Sequence, residues 1–390
     1  NSKNVSSWNN TEWRSDMGTS HVKWVRLGDY ISPRRENNSS LKYGIDLIEG
    51  VNSNGDFQPT KALTDNINLK PYKVVRHGDI VYNPSRLNIG SLAYRTGDMC
   101  IVSHLYQVFY IKEKYQSRLS AEFLTLYLRR NEFYRYVDYD NFGSQRAEYN
   151  LRKLSELLIP LPSPDEQQKV VNAWKAFREI KEQNETKAAP LMQVCQSYIQ
   201  KAKKNNIGKY RIGKAIKIVD TINKDGHSYE VLGLNSNKVF MPTIASVDTV
   251  NTSKYKVIGK GEFAFSGMQT GRDKCIRIAL YDKDTPALIS PAYTTFALDE
   301  NEPILPEYFM MIFKNPEMDR LGWFYSDSSV RANLDWDRFI DIEIPLLPIE
   351  LQQAIVNIYK CANEAKQIAE DADRLSREVC PALIQHVIHS

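Results

Sequence analysis

The most constraining feature of this sequence is that its second half repeats the first at a nearly constant distance. Six short patterns recur in the same order, each separated from its copy by 183 to 187 residues. The matched patterns begin at Val25 and Tyr210, Tyr72 and Tyr255, Val102 and Ile289, Arg146 and Arg331, Ile159 and Ile344, and Gln167 and Gln352. Six matches in one order are hard to produce by chance. We therefore expect two equivalent folding units in tandem.

Each repeat begins with short runs of β-branched and aromatic residues. Runs such as Ile80-Val81-Tyr82 and Phe263-Ala264-Phe265 are separated by Gly, Asn, Asp and Pro, which is typical of strands joined by turns. A shorter helical patch follows in each repeat, near Glu122–Phe133 and Glu307–Met318. The sequence therefore predicts an α+β fold with two similar globular domains.

A long helical pattern closes the first repeat. Its predicted start is Pro164-Asp165-Glu166, because proline suits a first turn and acidic side chains complement the positive end of the helix dipole. Pro190 is expected to end or kink this helix, and a second helical piece is predicted from Leu191 to about Lys204. The apolar stripe of that second piece is Cys195, Tyr198 and Ala202.

The second repeat closes with a cleaner helical pattern. Its apolar positions alternate spacings of four and three: Leu351, Ile355, Ile358, Ala362, Ala365, Ala369 and Ala372. This spacing is typical of a coiled-coil seam. From Glu350 to Glu378 such a helix would span roughly 43 Å, and Pro381 is expected to interrupt it near its end. We expect the two long helices to pair as an antiparallel coiled coil, with the core face of a helical bundle as the alternative.

Composition excludes several classes of protein. No apolar run approaches the roughly 18 residues that a membrane helix needs, and the net charge of +4 is only mildly basic. The five cysteines form no CxxC and the six histidines no HExxH, so we expect reduced thiols, a cytoplasmic protein and no metal site. The sequence has no P-loop, and Asn83-Pro84-Ser85-Arg86 only approaches the Asn/Asp-Pro-Pro-aromatic pocket of an adenine methyltransferase. We expect no catalytic site in this chain.

The order of these patterns resembles a known family. The stretches that carry the resemblance are 159–168 (IPLPSPDEQQ), 344–353 (IPLLPIELQQ), 78–86 (GDIVYNPSR) and 261–265 (GEFAF). Together with the doubled architecture, they resemble the specificity (S) subunit of a type I restriction–modification system, over nearly the whole chain beyond about residue 22. The second half departs from the pattern, because Leu347 stands in place of a proline and Leu351 in place of a glutamate.

The resemblance implies a division of the chain and a function. The segments would be 1–21 (polar N-terminal segment), 22–162 (target-recognition domain 1), 163–205 (first spacer helix region), 206–347 (target-recognition domain 2) and 348–390 (second spacer helix region). In such a subunit each domain recognises one half of a bipartite double-stranded DNA target, and the helices set the gap between the halves. The helices also dock two methyltransferase (modification) subunits, which methylate adenine and hold S-adenosylmethionine. Restriction motor subunits are a further partner that the family admits.

Candidate DNA contacts are the polar and basic residues of two pairs of loops. Arginine suits guanine, asparagine and glutamine suit adenine, and basic side chains hold phosphates. The first pair of loops contains Asn83, Ser85, Arg86 and Asn88 in one repeat and Ser266, Gln269, Thr270, Arg272 and Lys274 in the other. The second pair contains Ser144, Gln145 and Arg146, and Ser329, Arg331 and Asn333. Because Arg146 and Arg331 match across the repeat, we expect them to share a task such as holding a phosphate. Ordinary hairpin loops and internal salt bridges are the alternatives.

Two other functions fit the same architecture. The chain could be a coiled-coil scaffold whose two globular heads bind proteins, or the recognition subunit of a related methylation-based phage-defence system. A DNA reader should lose affinity steeply between about 50 and 200 mM salt, whereas a protein scaffold need not.

Overall fold

The computed structural model describes residues 22–60, 67–141, 148–205, 208–243, 251–268, 270–327 and 332–389, with the backbone alone at Lys203 and Arg272. The chain forms two compact units. Unit 1 comprises Asn1–Glu182 and Ala369–Ser390, and unit 2 comprises Gln183–Ile368. Among the helices in the described ranges, none has the length and apolar character needed to cross a membrane.

Unit 1 contains ten short strands, four short helices and a part of each long helix among its described residues. The strands are β1 (Lys23–Arg26), β2 (Ile31–Pro33), β3 (Glu49–Val51), β4 (Phe57–Pro59), β5 (Lys73–Val75), β6 (Ile80–Tyr82), β7 (Leu92–Tyr94), β8 (Cys100–Val102), β9 (Gln107–Ile111) and β10 (Leu158–Leu161). The helices are α1 (Leu27–Tyr30), α2 (Ala121–Leu128), α3 (Asn131–Asp140), α4 (Leu151–Glu156) and the start of α5 (Pro164–Lys204).

Unit 2 repeats this inventory in the part of the chain that the structure describes. Its strands are β11 (Lys209–Arg211), β12 (Ile216–Ile218), β13 (Val231–Leu234), β14 (Phe240–Pro242), β15 (Lys256–Ile258), β16 (Phe263–Ser266), β17 (Arg277–Leu280), β18 (Ala287–Ile289), β19 (Thr294–Leu298) and β20 (Glu343–Pro345). Its helices are α6 (Thr270–Asp273), α7 (Pro306–Phe313), α8 (Pro316–Tyr325), α9 (Trp336–Ile340) and the start of α10 (Ile349–His389). The predicted α+β class is confirmed.

The sheets of the two units have the same topology. A four-stranded sheet has the order β2-β9-β6-β7 in unit 1 and β12-β19-β16-β17 in unit 2. A second sheet in unit 2 has the order β14-β13-β18-β15, with β13 and β18 parallel. Unit 1 has the matching pairs β3-β4 and β5-β8, joined by a parallel bridge from Ile48 to Ile101. The repeat seen in the sequence is therefore a repeat of the fold.

The central strand of each four-stranded sheet is buried on both faces. In β6, Ile80 and Tyr82 pack into the cluster that includes helices α2 and α3, whereas Val81 packs into a smaller cluster on the other face. Phe263 and Phe265 in β16 face the helices of unit 2, and Ala264 faces the opposite side. Because side chains alternate along a strand, a continuous apolar run is what a strand covered on both faces requires.

A matched glycine precedes each of these central strands. Gly78 and Gly261 have φ values of +88° and +87°, and no other atom would lie within 4 Å of a Cβ placed on either. The backbone conformation rather than the available space therefore favours glycine at these two positions. This turn accounts for the match of Gly78-Asp79 with Gly261-Glu262 in the sequence.

The two long helices are continuous, 41 residues each. The prediction that Pro190 ends or kinks α5 was wrong as to an end, and Pro381 does not end α10 either, since both prolines lie inside a helix. A kink at either position stays a prediction. A proline inside a helix costs about 3 kcal/mol, because it removes a hydrogen bond and crowds the preceding turn. The helices are packed on both sides of each proline, and we attribute their continuity to that packing.

The long helices pair in antiparallel fashion within each unit. In unit 1, Lys181 of α5 forms an ion pair with Asp373 of α10 at 2.9 Å, and Val170 shares a core cluster with Ile384 and Ile388. An earlier residue of α5 therefore lies near later residues of α10, so the two helices run in opposite directions. The seven predicted seam positions of α10 are buried or half-buried.

The predicted stripe on the second part of α5 needs one correction. Cys195 and Ala202 are buried in unit 2 as expected, but Tyr198 is 50% exposed, and Ile199 is buried in its place. Spacings of three and of four are both compatible with one helical face, so the sequence alone did not distinguish the two residues.

Candidate nucleic-acid interface

The first pair of candidate loops lies at matched ends of the two four-stranded sheets. Loop A1 (residues 83–91) follows β6. A hydrogen bond joins its two ends, because the Asn83 amide donates to the Ser91 carbonyl at 3.0 Å. Loop A2 (residues 266–276) begins at the end of β16. A1 contains a 3-10 turn over Leu87–Ile89, whereas A2 contains the one-turn helix α6. The two loops therefore differ in conformation on the same framework.

The second pair of loops lies against the first. Loop B1 (residues 141–150) is anchored by the Tyr149 amide, which donates to the Pro84 carbonyl of A1 at 3.0 Å. Loop B2 (residues 326–335) is anchored in the matching way, because the Leu334 amide donates to the Gly267 carbonyl of A2 at 2.9 Å. Tyr149 and Leu334 are both buried. The structure thus brings the two candidate loops of each unit together, although they lie far apart in the sequence.

In loop A1 the exposed side chains are those of Ser85, Arg86 and Ile89. Within the described ranges, the Arg86 guanidinium forms no hydrogen bond or ion pair, so it is available to a ligand. Asn83 holds the turn itself, because its side-chain oxygen accepts from the Ser85 amide at 3.0 Å. The Asn88 side chain donates to Asp138 of α3 at 2.7 Å, which joins the loop to that helix.

In loop A2 several candidate side chains point inward. Ser266 is 9% exposed and Thr270 is 1% exposed, and the Thr270 hydroxyl donates to the Gly267 carbonyl at 3.0 Å. A Cβ on Gly267 would overlap the carbonyl oxygen of Leu334, and one on Gly271 would overlap Ala332. These two glycines therefore allow A2 and B2 to approach each other closely.

Among the A2 side chains that the structure describes, Lys274 is an exposed cation. Its ammonium nitrogen lies 5.6 Å from the ring centroid of Trp323, at the end of α8, and Trp323 is 51% exposed. Sequence reasoning did not select Trp323. The signal that could have found it is the run Trp323-Phe324-Tyr325 at the end of an otherwise amphipathic helix.

Several candidates lie outside the described residues and stay predictions. They are Ser144, Gln145, Arg146, Gln269, Ser329 and Arg331. Arg272 lies in α6 with only its backbone described. Asn333 is half-buried in B2, where its backbone amide donates to the Asp327 carboxylate at 3.0 Å.

Other arginines of unit 1 are already engaged by carboxylates. Arg34 forms two hydrogen bonds with the buried Asp79, at 2.5 and 2.7 Å, and lies over the Tyr110 ring. Arg76 pairs with Glu36, and its hydrogen bond holds the pKa of that carboxyl below the ordinary value. These arginines stabilise the fold, and the unpaired guanidinium of Arg86 differs from them in this respect.

No set of three or more His, Cys, Asp or Glu side chains among the described residues is placed to hold a metal ion. The described residues instead offer one exposed cation on each A loop, Arg86 on A1 and Lys274 on A2, with the Ser85 hydroxyl beside Arg86. Such groups bind phosphates and the edges of bases.

The fold of this chain is similar to that of a solved structure. The type I restriction–modification system S subunit from M. genitalium matches with a TM-score of 0.63 at 13% identity, over 94% of this chain and 96% of that one. The HsdS subunit from Thermoanaerobacter tengcongensis matches at 15% identity with a TM-score of 0.39, over 94% and 96% of the two chains. A chain from work on assembly and conformational transition of the type I R-M system matches at 15% identity with a TM-score of 0.42, over 93% and 97%. No curated protein matches the sequence.

The sequence itself matches a protein family over part of its length. Residues 28–193, which contain strands β2 to β10 and loops A1 and B1, match the family described as type I restriction modification DNA specificity domain. The chain is therefore similar to this family over residues 28–193, and its fold is similar to that of the M. genitalium S subunit over nearly the whole chain.

Proposed function

We propose that the chain is a specificity subunit that reads a bipartite double-stranded DNA target, one half with each unit. In each unit the A and B loops contact the DNA. The helices α5 and α10 set the gap between the half-sites and dock two methyltransferase subunits. Those subunits hold S-adenosylmethionine and methylate adenine in the cytoplasm, and restriction motor subunits are a further partner.

One observation carries this proposal. The two units share sheet topology, turn conformations and side-chain anchors, but the A loops that project from this framework differ in sequence and conformation. A repeated framework with different exposed loops is what two readers of unlike half-sites require. A scaffold that binds the same protein twice would instead preserve its exposed surface.

The continuous helices support the proposed spacer. A helix of 41 residues is about 60 Å long, which exceeds the 34–36 Å that separates equivalent major-groove positions one turn apart on B-DNA. Each helix is therefore long enough to take part in a spacer that bridges one helical turn of DNA.

The experiment that tests the proposal is a genome-wide map of adenine methylation by single-molecule sequencing. Cells that contain this chain and its neighbouring methyltransferase are compared with cells that lack only this chain. We expect one split motif, with a few fixed bases on each side of a fixed unspecified gap, to disappear when the chain is absent. If no methylated motif changes, the proposal is wrong and the protein-binding scaffold becomes the better explanation.

The same methylation map also applies if this chain is the recognition subunit of a related methylation-based phage-defence system. In that case the methylated motif would still depend on this chain, but restriction motor subunits would not copurify with it. The outcome identifies the partners and leaves DNA reading by the two units unchanged.

A further inference from the structure

A matched pair of exposed side chains lies on the helix that precedes each B loop. In α3 the pair is Arg135 and Tyr139, and in α8 it is Arg320 and Phe324, at positions 185 residues apart. Tyr139 is 45% exposed and Phe324 is 79% exposed. The arginine side chains are 71% and 75% exposed. Single exposed apolar residues are ordinary on protein surfaces, but the same arrangement in both repeats is not explained by the fold.

Each pair occupies one outer face of its helix. An arginine and an aromatic residue four positions apart are neighbours on a helix surface. The inner faces bury Phe133 and Val137 in α3 and Met318 in α8. Packing is thus provided by other residues, and the outer pairs are left for another role.

Both helices contact the loops proposed to read DNA. Asp138, next to Tyr139, accepts the hydrogen bond from Asn88 of loop A1 at 2.7 Å. Trp323, next to Phe324, lies under the ammonium group of Lys274 in loop A2 at 5.6 Å. The exposed pairs therefore extend the proposed interface of each unit beyond its loops.

The arginines are held only weakly by the protein. Arg135 approaches Glu132 at 3.9 Å, and Arg320 approaches Glu317 at 3.5 Å, in both cases three residues along the same exposed helix. Exposed pairs of this kind contribute about 0–1 kcal/mol at most. A phosphate group can therefore replace the glutamate at small cost.

We propose that the outer faces of α3 and α8 form a second DNA contact in each unit. The guanidinium binds a backbone phosphate, and the aromatic ring packs against the deoxyribose and base edge beside it. A cation next to a ring, continuous with loops that carry further cations, is complementary to the charged and apolar parts of a DNA strand. The inference rests on the proposed function and adds to it residues that position the DNA.

The test separates the two side chains by the salt dependence of DNA affinity. The full chain, in complex with its methyltransferase partner, is titrated with duplex DNA that contains the split motif, at several salt concentrations. Arg320→Ala should reduce the slope of log affinity against log salt by about 0.9, the value for one lost phosphate contact. Phe324→Ala should weaken binding roughly tenfold or more, because an apolar contact is lost, and should leave the slope unchanged. Arg135→Ala and Tyr139→Ala should act in the same way through unit 1.

A matched control lies on β11, outside the long helices and the A and B loops. Arg211→Ala removes an exposed arginine that approaches the exposed Asp341 at 3.3 Å. This substitution should change neither affinity nor slope. Thermal unfolding followed by circular dichroism identifies any variant whose fold has changed, and Arg320→Lys should restore most of the slope.

The outcomes distinguish the inference from the proposed function. If Arg86→Ala weakens binding but the variants in α3 and α8 do not, the inference is wrong and the proposed function stands. If these variants lose the methyltransferase partner while DNA affinity is preserved, the surface binds protein and the inference is again wrong. If the complex with the unaltered chain shows no sequence-specific, salt-dependent binding, the proposed function itself fails.

Discussion

At the scale of single residues, matched tyrosines show why a short pattern recurs in both halves. The hydroxyl of Tyr106 accepts a hydrogen bond from the Val51 amide at 3.2 Å, and that of Tyr293 accepts one from the Leu234 amide at 3.2 Å. Each tyrosine thereby joins one strand of its unit to a distant segment. The repeated Val/Ile-Ser-x-x-Tyr pattern is thus a requirement of the framework and says nothing about the DNA sequence that is read.

The cysteines give a prediction at this scale. Cys361 is exposed, whereas the other four are buried, and burial raises the pKa of Cys100 to about 12. Since the thiolate is the reactive form, we expect a thiol reagent at pH 8 to modify Cys361 promptly and the buried thiols only on unfolding. Titration with a chromogenic disulfide should count one thiol in the native chain and five in denaturant.

The control for this titration is Cys361→Ser. This variant should show no prompt reaction in the native chain, and its four remaining thiols should all react in denaturant. Two or more prompt thiols in the unaltered chain would contradict the burial described here.

Whether a loop residue is buried by contacts with distant parts of the chain could not be predicted from the sequence. Thr270 was selected as a polar loop residue, but it is buried because A2 packs against Leu334, sixty-odd positions further along the chain. Arg86 was selected by the same reasoning and is exposed. Loop composition alone does not distinguish these two situations, since both loops are polar and glycine-containing.

At the scale of elements, a buried glutamine ties each long helix to its globular unit. The Gln167 side-chain oxygen accepts from the Ser120 amide at 2.8 Å, and its nitrogen donates to the carbonyls of Arg118 and Pro162 at 2.8 and 2.9 Å. Gln352 makes the matching three bonds in unit 2, with Leu305, Pro303 and Leu347. The paired glutamines in the sequence therefore mark a structural joint.

Removing this joint should destabilise unit 1 strongly. Gln167→Ala leaves one amide and two carbonyl groups without their partner, at about 1–3 kcal/mol for each buried group left unpaired. We expect the free energy of unfolding to fall by about 2–4 kcal/mol, measured by denaturant unfolding of the full chain.

The neighbouring Gln168 provides a matched control. It is exposed, and its side chain only donates to Asn172 four residues along the helix at 2.8 Å. Gln168→Ala should change the free energy of unfolding by less than about 0.5 kcal/mol. Equal effects of the two substitutions would show that the joint does not contribute to stability.

At the scale of the whole molecule, the proposed function predicts that substitutions in the two units affect separate halves of the DNA target. We expect Arg86→Ala to relax the base preference in one half-site, and Arg272→Ala to relax it in the other half-site only. If each arginine reads a guanine, the loss is about 1–3 kcal/mol for the affected base pair. Methylation maps of the two variants measure both effects.

A variant that weakens methylation uniformly, with both half-sites unchanged, would instead show that its arginine contacts a phosphate. The double substitution should combine the two single effects without a new preference, because the residues belong to different units. Arg211→Ala, on β11, should leave the motif as it is.

The duplication was also what made the fold predictable. The match of Ile159-Pro160-Leu161 with Ile344-Pro345-Leu346 corresponds to strands β10 and β20. These strands pair with β1 and β11 in the same register. The continuity of α5 through Pro190 was not predictable in the same way. We attribute it to the packing of α5 on either side of the proline, around Val170 and Cys195, which no local rule of helix termination contains.

The composition of unit 1 has a consequence for its synthesis. Its main core includes Ile384, Val387 and Ile388 from Ala369–Ser390, although the remainder of the unit ends at Glu182. A ribosome that adds roughly 5–20 residues per second needs roughly 10–40 s to travel from one segment to the other. During that interval the apolar face around Val170 and Val171 stays exposed, because the segment that covers it has not yet been synthesised. Unit 1 is thus begun first and completed last. Until then its exposed apolar face favours aggregation of the nascent chain.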